Sequence, residues 1–408
     1  MLRTSKHYQE RVWRILTKKM KDSGIEWVGE IPEDWLLVKY KRFAKSGMGV
    51  TLLKSDLLDR ETADSIPVYS ATQENEFFGY TENKKLLLEC GDLVIPARGN
   101  SIGHIKVVDK TATSTQTTIY SKVFSNEINI MFLKYCSDGL KDNWFKFDDT
   151  AIPQITVNQV NNNPVPYPSL KEQEKIVKIL NKITQKVDNI LKQTQQSIKE
   201  LKKYKQSLIT EAVTKGLDPN VEMKDSGVEW IGAIPSRWGL NQIKTVAKVM
   251  NGKKIETDDG HIPVFGSGGV FKYTNTKLYD RESVLFGRKG TIGKPLIVNQ
   301  PFWTVDTMFY THIFENRAFP KWLYYILISL PWDVYSTQTT IPSIVGSEIE
   351  SIRIPVPAIE EQQQIVQYLD NKISTIDKLI EDKTKVIEEL ENYKKSLIYE
   401  YVTGKKEV

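Results

Sequence analysis

Two stretches, Lys171–Glu211 and Ile359–Val402, contain neither proline nor glycine, and in both apolar residues return every three or four positions. The first seam runs Ile176, Leu180, Ile183, Val187, Ile190, Ile198, Leu201, Leu208. The second runs Ile365, Leu369, Ile373, Ile376, Ile380, Ile387, Leu390, Leu397. Such spacing, sustained this long, describes a coiled-coil seam rather than an ordinary surface helix. At 1.5 Å per residue each run is one helix of roughly 60 Å. The first carries ten Lys against five Asp or Glu, the second six Lys against ten. Matching seams with opposite charge predict that the two helices pair with each other.

Both helices begin with the same device, Val165-Pro-Tyr-Pro-Ser-Leu-Lys-Glu-Gln173 and Ile354-Pro-Val-Pro-Ala-Ile-Glu-Glu-Gln362. Prolines at alternate positions impose an extended approach. Ser169 stands three residues before Glu172, which predicts a capping box, whereas Ala358 makes the second start chemically weaker.

The duplication extends beyond the helices. Met20-Lys-Asp-Ser-Gly-Ile-Glu-Trp-Val-Gly-Glu-Ile-Pro-Glu-Asp-Trp35 returns as Met223-Lys-Asp-Ser-Gly-Val-Glu-Trp-Ile-Gly-Ala-Ile-Pro-Ser-Arg-Trp238. Trp27, Trp35, Trp230 and Trp238 are expected to anchor packing, since large aromatics dominate core burial. Behind each opener, short β-type runs are punctuated by shared motifs. Ile66-Pro-Val-Tyr69 answers Ile262-Pro-Val-Phe265, and Asp92–Gly103 answers Ser283–Gly293. Gln116-Thr-Thr-Ile-Tyr120 answers Asp306-Thr-Met-Phe-Tyr310, and Ala151-Ile-Pro-Gln-Ile155 answers Thr340-Ile-Pro-Ser-Ile344. Modest helical stretches at Ile130–Leu140 and Pro320–Leu330 make each half a mixed α/β domain. The expected division is an N-terminal extension 1–19, a first domain 20–168, a first spacer helix 169–215, a linker with second domain 216–357, and a second spacer helix with tail 358–408. Two antiparallel helices would hold the domains at opposite ends, related by an approximate twofold, with N- and C-terminal ends close together.

Several chemistries are excluded or weakly supported. Cys90 and Cys136 are too few for a disulfide framework or zinc site, and His7, His104, His261 and His312 lack ligand spacing, so no metal site is expected. The first residues lack an apolar signal core, and no long apolar run occurs, so a cytoplasmic protein with no membrane association is expected. A net charge of +5 permits a nucleic-acid partner without demanding one. Asn163-Pro-Val-Pro-Tyr167 imitates the Asn-Pro-Pro-Tyr motif of adenine methyltransferases, but Val165 interrupts it. The glycines of Phe265-Gly-Ser-Gly-Gly269 do not fit a dinucleotide loop and read as a tight turn, and Pro295 breaks a phosphate loop at Gly293-Lys294. No catalytic residues are expected.

The turns Arg98-Gly-Asn100-Ser101 and Arg288-Lys289-Gly-Thr291 carry different chemistry. Arg, Gly and small hydroxyl or amide side chains can approach a phosphate backbone, and Arg can bond bidentately to guanine, Asn to adenine. The same turns could be structural, with the arginine paired to a local carboxylate. Gln116 and Asp306 could likewise read base edges or satisfy buried backbone.

The openers, the Gly287-Arg-Lys-Gly-Thr-Ile-Gly293 turn with Asp306-Thr307, and the Pro-x-Pro helix starts resemble the specificity subunit of type I restriction–modification enzymes, over nearly everything from Met20 to Gly404. The first domain departs from that pattern: Arg98-Gly-Asn-Ser101 replaces the fuller turn, and Gln116 stands where Asp is usual. The resemblance implies two target-recognition domains held apart by two long antiparallel coiled-coil helices, an α+β (mixed α/β) fold with an internal pseudo-twofold repeat. It implies a non-catalytic subunit that binds double-stranded DNA with two copies of a modification subunit and with restriction subunits. S-adenosylmethionine, ATP and Mg belong to those partners, and no cofactor to this chain. Unlike domains predict an asymmetric bipartite target, and spacers of roughly 60 Å limit its gap to at most two duplex turns of about 34 Å.

Overall fold

The computed structural model describes residues 18–72, 76–145, 153–255, 259–337, 339 and 342–408. All but the last two residues of the expected N-terminal extension lie outside the described residues, as do 151–152 and 340–341 of the two Ile-Pro motifs. The chain divides into two compact units, Met1–Gln193 with Val386–Val408, and Thr194–Lys385. The division cuts both long helices, Leu170–Lys215 and Ile359–Val402, so each unit owns one mixed domain, the start of one helix and the end of the other.

Each unit opens with a hairpin whose turn explains the repeated Asp-Ser-Gly. In the first, Met20–Asp22 pairs antiparallel with Glu30–Pro32. The Asp22 carboxylate accepts from Gly24 N at 3.0 Å and the Ser23 hydroxyl from Ile25 N at 3.2 Å, with Gly24 at φ +71°. The second repeats this with Asp225 on Gly227 N at 3.0 Å, Ser226 on Val228 N at 3.2 Å, and Gly227 at φ +63°. Left-handed backbone favours glycine, and the two short acceptors satisfy the turn's amides.

Behind the hairpins the units share one topology. The first has a four-stranded antiparallel sheet ordered Ala44–Met48, Thr118–Val123, Leu93–Pro96, Lys106–Val107. A three-stranded sheet places Ile66–Tyr69 between Gly79–Thr81 and, in parallel, Thr113–Ser114. The second unit has the same two sheets, formed by Ala247–Asn251, Met308–Ile313, Ser283–Gly287, Leu296–Val298 and by Gly269–Thr274, Ile262–Gly266, Trp303–Thr304. The Pro-x-Pro segments are extended, as their fixed φ requires. Pro164–Tyr167 pairs with Leu36–Lys39, and Arg353–Val356 with Gly239–Gln242.

One core in each unit joins the four-stranded sheet, a helix and both long-helix segments. In the first, Ile95, Ile119, Phe132 and Leu133 pack with Ile176 and Leu180 of one long helix and Leu397, Ile398 and Val402 of the other. In the second, Phe286, Phe309, Trp322 and Ile326 pack with Ile209 and Val213, and with Ile365 and Leu369. The helix segments run antiparallel in each unit. Asp188 meets Lys394 at 2.6 Å in the first, and Lys205 meets Asp377 at 2.7 Å in the second. In the first unit the start of the described residues lies beside the C-terminal tail, Lys18 N donating to Glu407 at 2.6 Å.

Two local expectations need correction. Ile190 is 46% exposed, and the seam passes through Leu191 and Thr194 instead, because a real α-helix drifts against a fixed three-four count. Ser169 accepts from Glu172 N at a long 3.4 Å, but Glu172 does not close a capping box. Its carboxylate accepts from Trp35 Nε1 at 3.2 Å and pairs with Lys18. Glu361 does the same for Trp238 Nε1 at 2.9 Å, paired with Arg237 at 2.6 Å. Trp35 and Trp238 are buried as expected, while Trp27 and Trp230 are half-buried.

Gln173 and Gln362 next to these glutamates are fully buried locks. Gln173 accepts from Asn129 N at 2.7 Å and donates to Pro168 O at 3.0 Å and Glu127 O at 3.2 Å. Gln362 accepts from Phe319 N at 2.7 Å and donates to Pro357 O at 3.0 Å and Arg317 O at 3.1 Å. The repeated Glu-Gln thus ties each long helix to its domain.

Candidate nucleic-acid interface

The Ile-Pro-x-Ile segments hold the two Gly-containing turns. Gly99 and Gly290, at φ +73° and +77°, donate to Pro153 O and Pro342 O, each at 3.0 Å. Ile155 N and Ile344 N return bonds of 3.0 Å to the carbonyls of Ala97 and Arg288. Ala97 N and Arg288 N in turn donate to Thr117 O at 2.9 Å and Thr307 O at 2.8 Å. These bonds fix the equivalences. Gln116 does stand at the position of Asp306, but Arg98 stands at that of Lys289, and Ala97 at that of Arg288. One extra residue before Gly103, taken up in the 3-10 turn Gly99–Ser101, disguised this in the sequence.

Arg98, Asn100, Lys289, Thr291 and Asp306 are exposed, and Arg288 and Gln116 half-buried. Ser101 lies in the 3-10 turn and is 9% exposed. Among the described residues the arginines held in ion pairs are Arg42 and Arg237, not Arg98 or Arg288. Arg288 lies 5.7 Å from the centroid of the Phe309 ring, a cation–π seat that orients its fork. Gln116 accepts a long bond of 3.4 Å from Leu52 N, so part of its capacity is used on backbone.

Parallel pairing brings further segments to the same place. Phe265 and Thr304 are partners, so the hairpin tip after Phe265 and the turn after Thr304 leave one end of the three-stranded sheet. Val305 N donates to Phe265 O at 3.2 Å. At this end Gly252 N donates to Met308 O at 3.0 Å and Lys253 N to Thr304 O at 2.9 Å. A Cβ on Gly252 would lie 2.0 Å from Val305 O, so only glycine lets this loop pass. In the first unit Gly49 passes Thr115 O equally closely, at 2.2 Å for a Cβ. The second unit therefore gathers Lys253, Lys254, Arg288, Lys289 and Asp306 at one sheet end. Lys253 and Lys254 were not singled out from the sequence, because only the Gly252 loop crossing joins them to the turn.

The first unit is chemically different there. Val50 and Thr51 replace the two lysines, and hydroxyls cluster instead: Ser70 with Thr115 at 3.1 Å, and Thr115 with Thr117 at 2.7 Å. Lys106, 3% exposed, stands where the second unit has Leu296, opposite Val94 as Leu296 is opposite Leu285. It donates to Ser70 O at 3.0 Å and Thr72 Oγ1 at 2.5 Å. Burial holds its ammonium down to about 8. Tyr69, beneath it, is pushed up to about 12, first by burial and then by Asp109, to which its hydroxyl donates at 3.2 Å.

A scaffold used twice, with a clamped turn and unlike polar groups at equivalent sheet ends, defines a protein that presents two chemically different surfaces on one framework. The chain belongs to the family of type I restriction modification DNA specificity domains, whose model matches residues 32–200 and 235–389. It is similar to the type I restriction enzyme MjaVIII specificity subunit of Methanocaldococcus jannaschii, 26% identical over 92% of this chain and 93% of that one. The putative MjaX specificity subunit of the same organism is 25% identical over 93% and 95%. Among solved structures, a chain from work on assembly and conformational transition of the type I R-M system superposes with TM-score 0.73 at 16% identity, covering 92% and 99%. The HsdS subunit of Thermoanaerobacter tengcongensis gives 0.50 at 16% identity, covering 92% and 98%. The chain is thus a specificity subunit with two target-recognition domains, a non-catalytic DNA-recognition component of a type I restriction–modification complex. No helix among the described residues is long and apolar enough to cross a membrane.

Proposed function

We propose that each unit reads one half of an asymmetric bipartite duplex target through its sheet end. Arg98, Asn100 and Gln116 act in the first, and Arg288, Lys289, Thr291 and Asp306 in the second. The observation that carries this reading is one backbone clamp, built twice, presenting different side chains at equivalent positions. The long helices, 46 and 44 residues, set the gap between half-sites and dock two modification subunits. Those subunits bring S-adenosylmethionine and flip and methylate adenine, and restriction subunits add ATP- and Mg-dependent cleavage, all in the cytoplasm. The charge difference between sheet ends supports unlike half-sites and makes the second the more salt-sensitive contact. A genome-wide methyladenine map, in cells expressing this chain with a modification subunit, tests the reading. A two-part asymmetric motif that vanishes when the chain is deleted is the expected result, and methylation independent of the chain would refute it.

A further inference from the structure

The same sheet ends carry exposed aromatics that recognition by hydrogen bonding does not use. Phe78 is 55% exposed and Phe271 58%. Strand register makes them equivalent, since Thr81 pairs with Ile66 as Thr274 pairs with Ile262, three residues further on in each case. Both belong to a repeated Phe-x-Tyr-Thr, Phe78-Gly-Tyr-Thr81 and Phe271-Lys-Tyr-Thr274, within a region where the two units otherwise diverge. A large apolar side chain left mostly in water forgoes the stabilisation that burial supplies. Occurring twice at one position of a duplicated scaffold, it marks a contact surface rather than a stray residue.

The local geometry presents the ring. The register between Ile262–Gly266 and Gly269–Thr274 shifts after Val264, and this bulge turns Phe271 out beside Val270. Its ring is seated over Gly266, where a Cβ would lie 3.3 Å from two ring carbons. The absence of a side chain at Gly266 lets the ring lie close to it while most of the ring remains exposed. Gly266 itself follows Phe265, whose carbonyl accepts from Val305 N, so the ring stands beside the turn that carries Asp306. In the first unit Phe78 N donates to Val68 O at 2.8 Å, holding the corresponding residue at the corresponding sheet end.

We propose that Phe271 and Phe78 are apolar wedges that insert at a base step of the duplex, one in each half-site, unstacking and bending it. In the second unit neighbouring cations suit this occupant: Lys272 Nζ lies 5.8 Å from the Phe271 ring centroid, and Lys253, whose amide donates to Thr304 O at 2.9 Å, and Lys254 lie on the loop bonded to the same sheet end. Partial intercalation by phenylalanine is a recognised way to kink DNA and wrap more of it. It gives specificity without hydrogen bonds, because pyrimidine–purine steps unstack most easily. The proposal rests on the sheet ends being the DNA surface.

The test uses the full chain in complex with its modification subunit, on a duplex containing the methylated motif found for the wild type. Affinity and bend angle, by end-to-end fluorescence transfer, are measured for Phe271→Ala, Phe78→Ala and Phe271→Leu. The expected result is a tenfold to hundredfold loss of affinity and a smaller bend for each alanine variant. Leucine, itself able to wedge, keeps most of both. Each alanine variant should relax preference at a base step in its own half-site only, with the methylated motif otherwise unchanged. Wild-type binding and bend retained in both alanine variants would overturn the wedge while leaving the sheet-end reading intact. If Arg288→Ala also left recognition untouched, the sheet-end reading itself would fall. Melting profiles matching wild type would show that the losses are not unfolding.

Discussion

At the scale of single residues, buried polar side chains decide more than the exposed ones. Gln173 makes three hydrogen bonds in a site without solvent, so Gln173→Ala should cost about 2–4 kcal/mol by leaving Asn129 N–H and two carbonyls unsatisfied. Denaturant unfolding measures this, and Gln362→Ala should match it in the second unit. Lys106 gives a pH signature. Its amine titrates near 8 in the folded chain against about 10.5 unfolded. Below pH 8 both states hold the proton and the full burial penalty stands. Between 8 and 10.5 the unfolded chain binds more protons, so this residue's contribution to stability improves as pH rises. The stability of wild type relative to Lys106→Met should therefore increase across that window, and a flat difference would contradict the assignment. Gly404 sits at φ +72°, with a Cβ position 2.5 Å from Pro32, whereas Gly24 at φ +71° has open space. Gly404→Ala should accordingly destabilise more than Gly24→Ala, whose cost is about 1 kcal/mol of backbone strain.

At the scale of elements, the long helices are held by their seam and only trimmed by their charges. Lys205–Asp377 and Lys394–Asp188 are half-exposed, and such pairs contribute at most about 1 kcal/mol. Lys394→Glu should leave the fold intact, with a thermal midpoint lowered by a few degrees at most. Leu180→Ala or Leu369→Ala, both fully buried, should cost about 2–5 kcal/mol. The helices were legible in the sequence because a seam is periodic and Pro-x-Pro fixes its own φ. Ile190 was misplaced by that same periodicity, which a real helix follows only approximately. The capping box failed for another reason: Glu172 finds Trp35, 137 residues away, and a better donor defeats the local pattern.

At the scale of the whole molecule, two surfaces with different chemistry predict two separable effects. Arg288→Ala should weaken recognition of one half-site only, visible as degeneracy in one part of the methylated motif. Deleting one helical turn from both long helices should shorten the gap and leave both half-sites unchanged, in the same methyladenine map. Neutralising Lys253, Lys254 or Lys289 should lower the slope of log affinity against log salt by about one for each that contacts a phosphate.

Repetition is visible in the sequence itself, and the helix seams and extended Pro-x-Pro approaches were legible there because each depends on residues close together in the chain. The proposed recognition surface was not. Phe265 and Thr304 lie 39 residues apart, and their parallel pairing brings the Phe271 hairpin, the Lys253-Lys254 loop and the Arg288 turn to one sheet end. Whether Arg98 answers Arg288 or Lys289 was likewise settled by which carbonyl each amide meets, since an inserted residue shifts a sequence alignment but not a hydrogen-bonded clamp. Local conformational preference can be read residue by residue. Convergence of side chains depends on long-range pairing, and only the tertiary structure decides it.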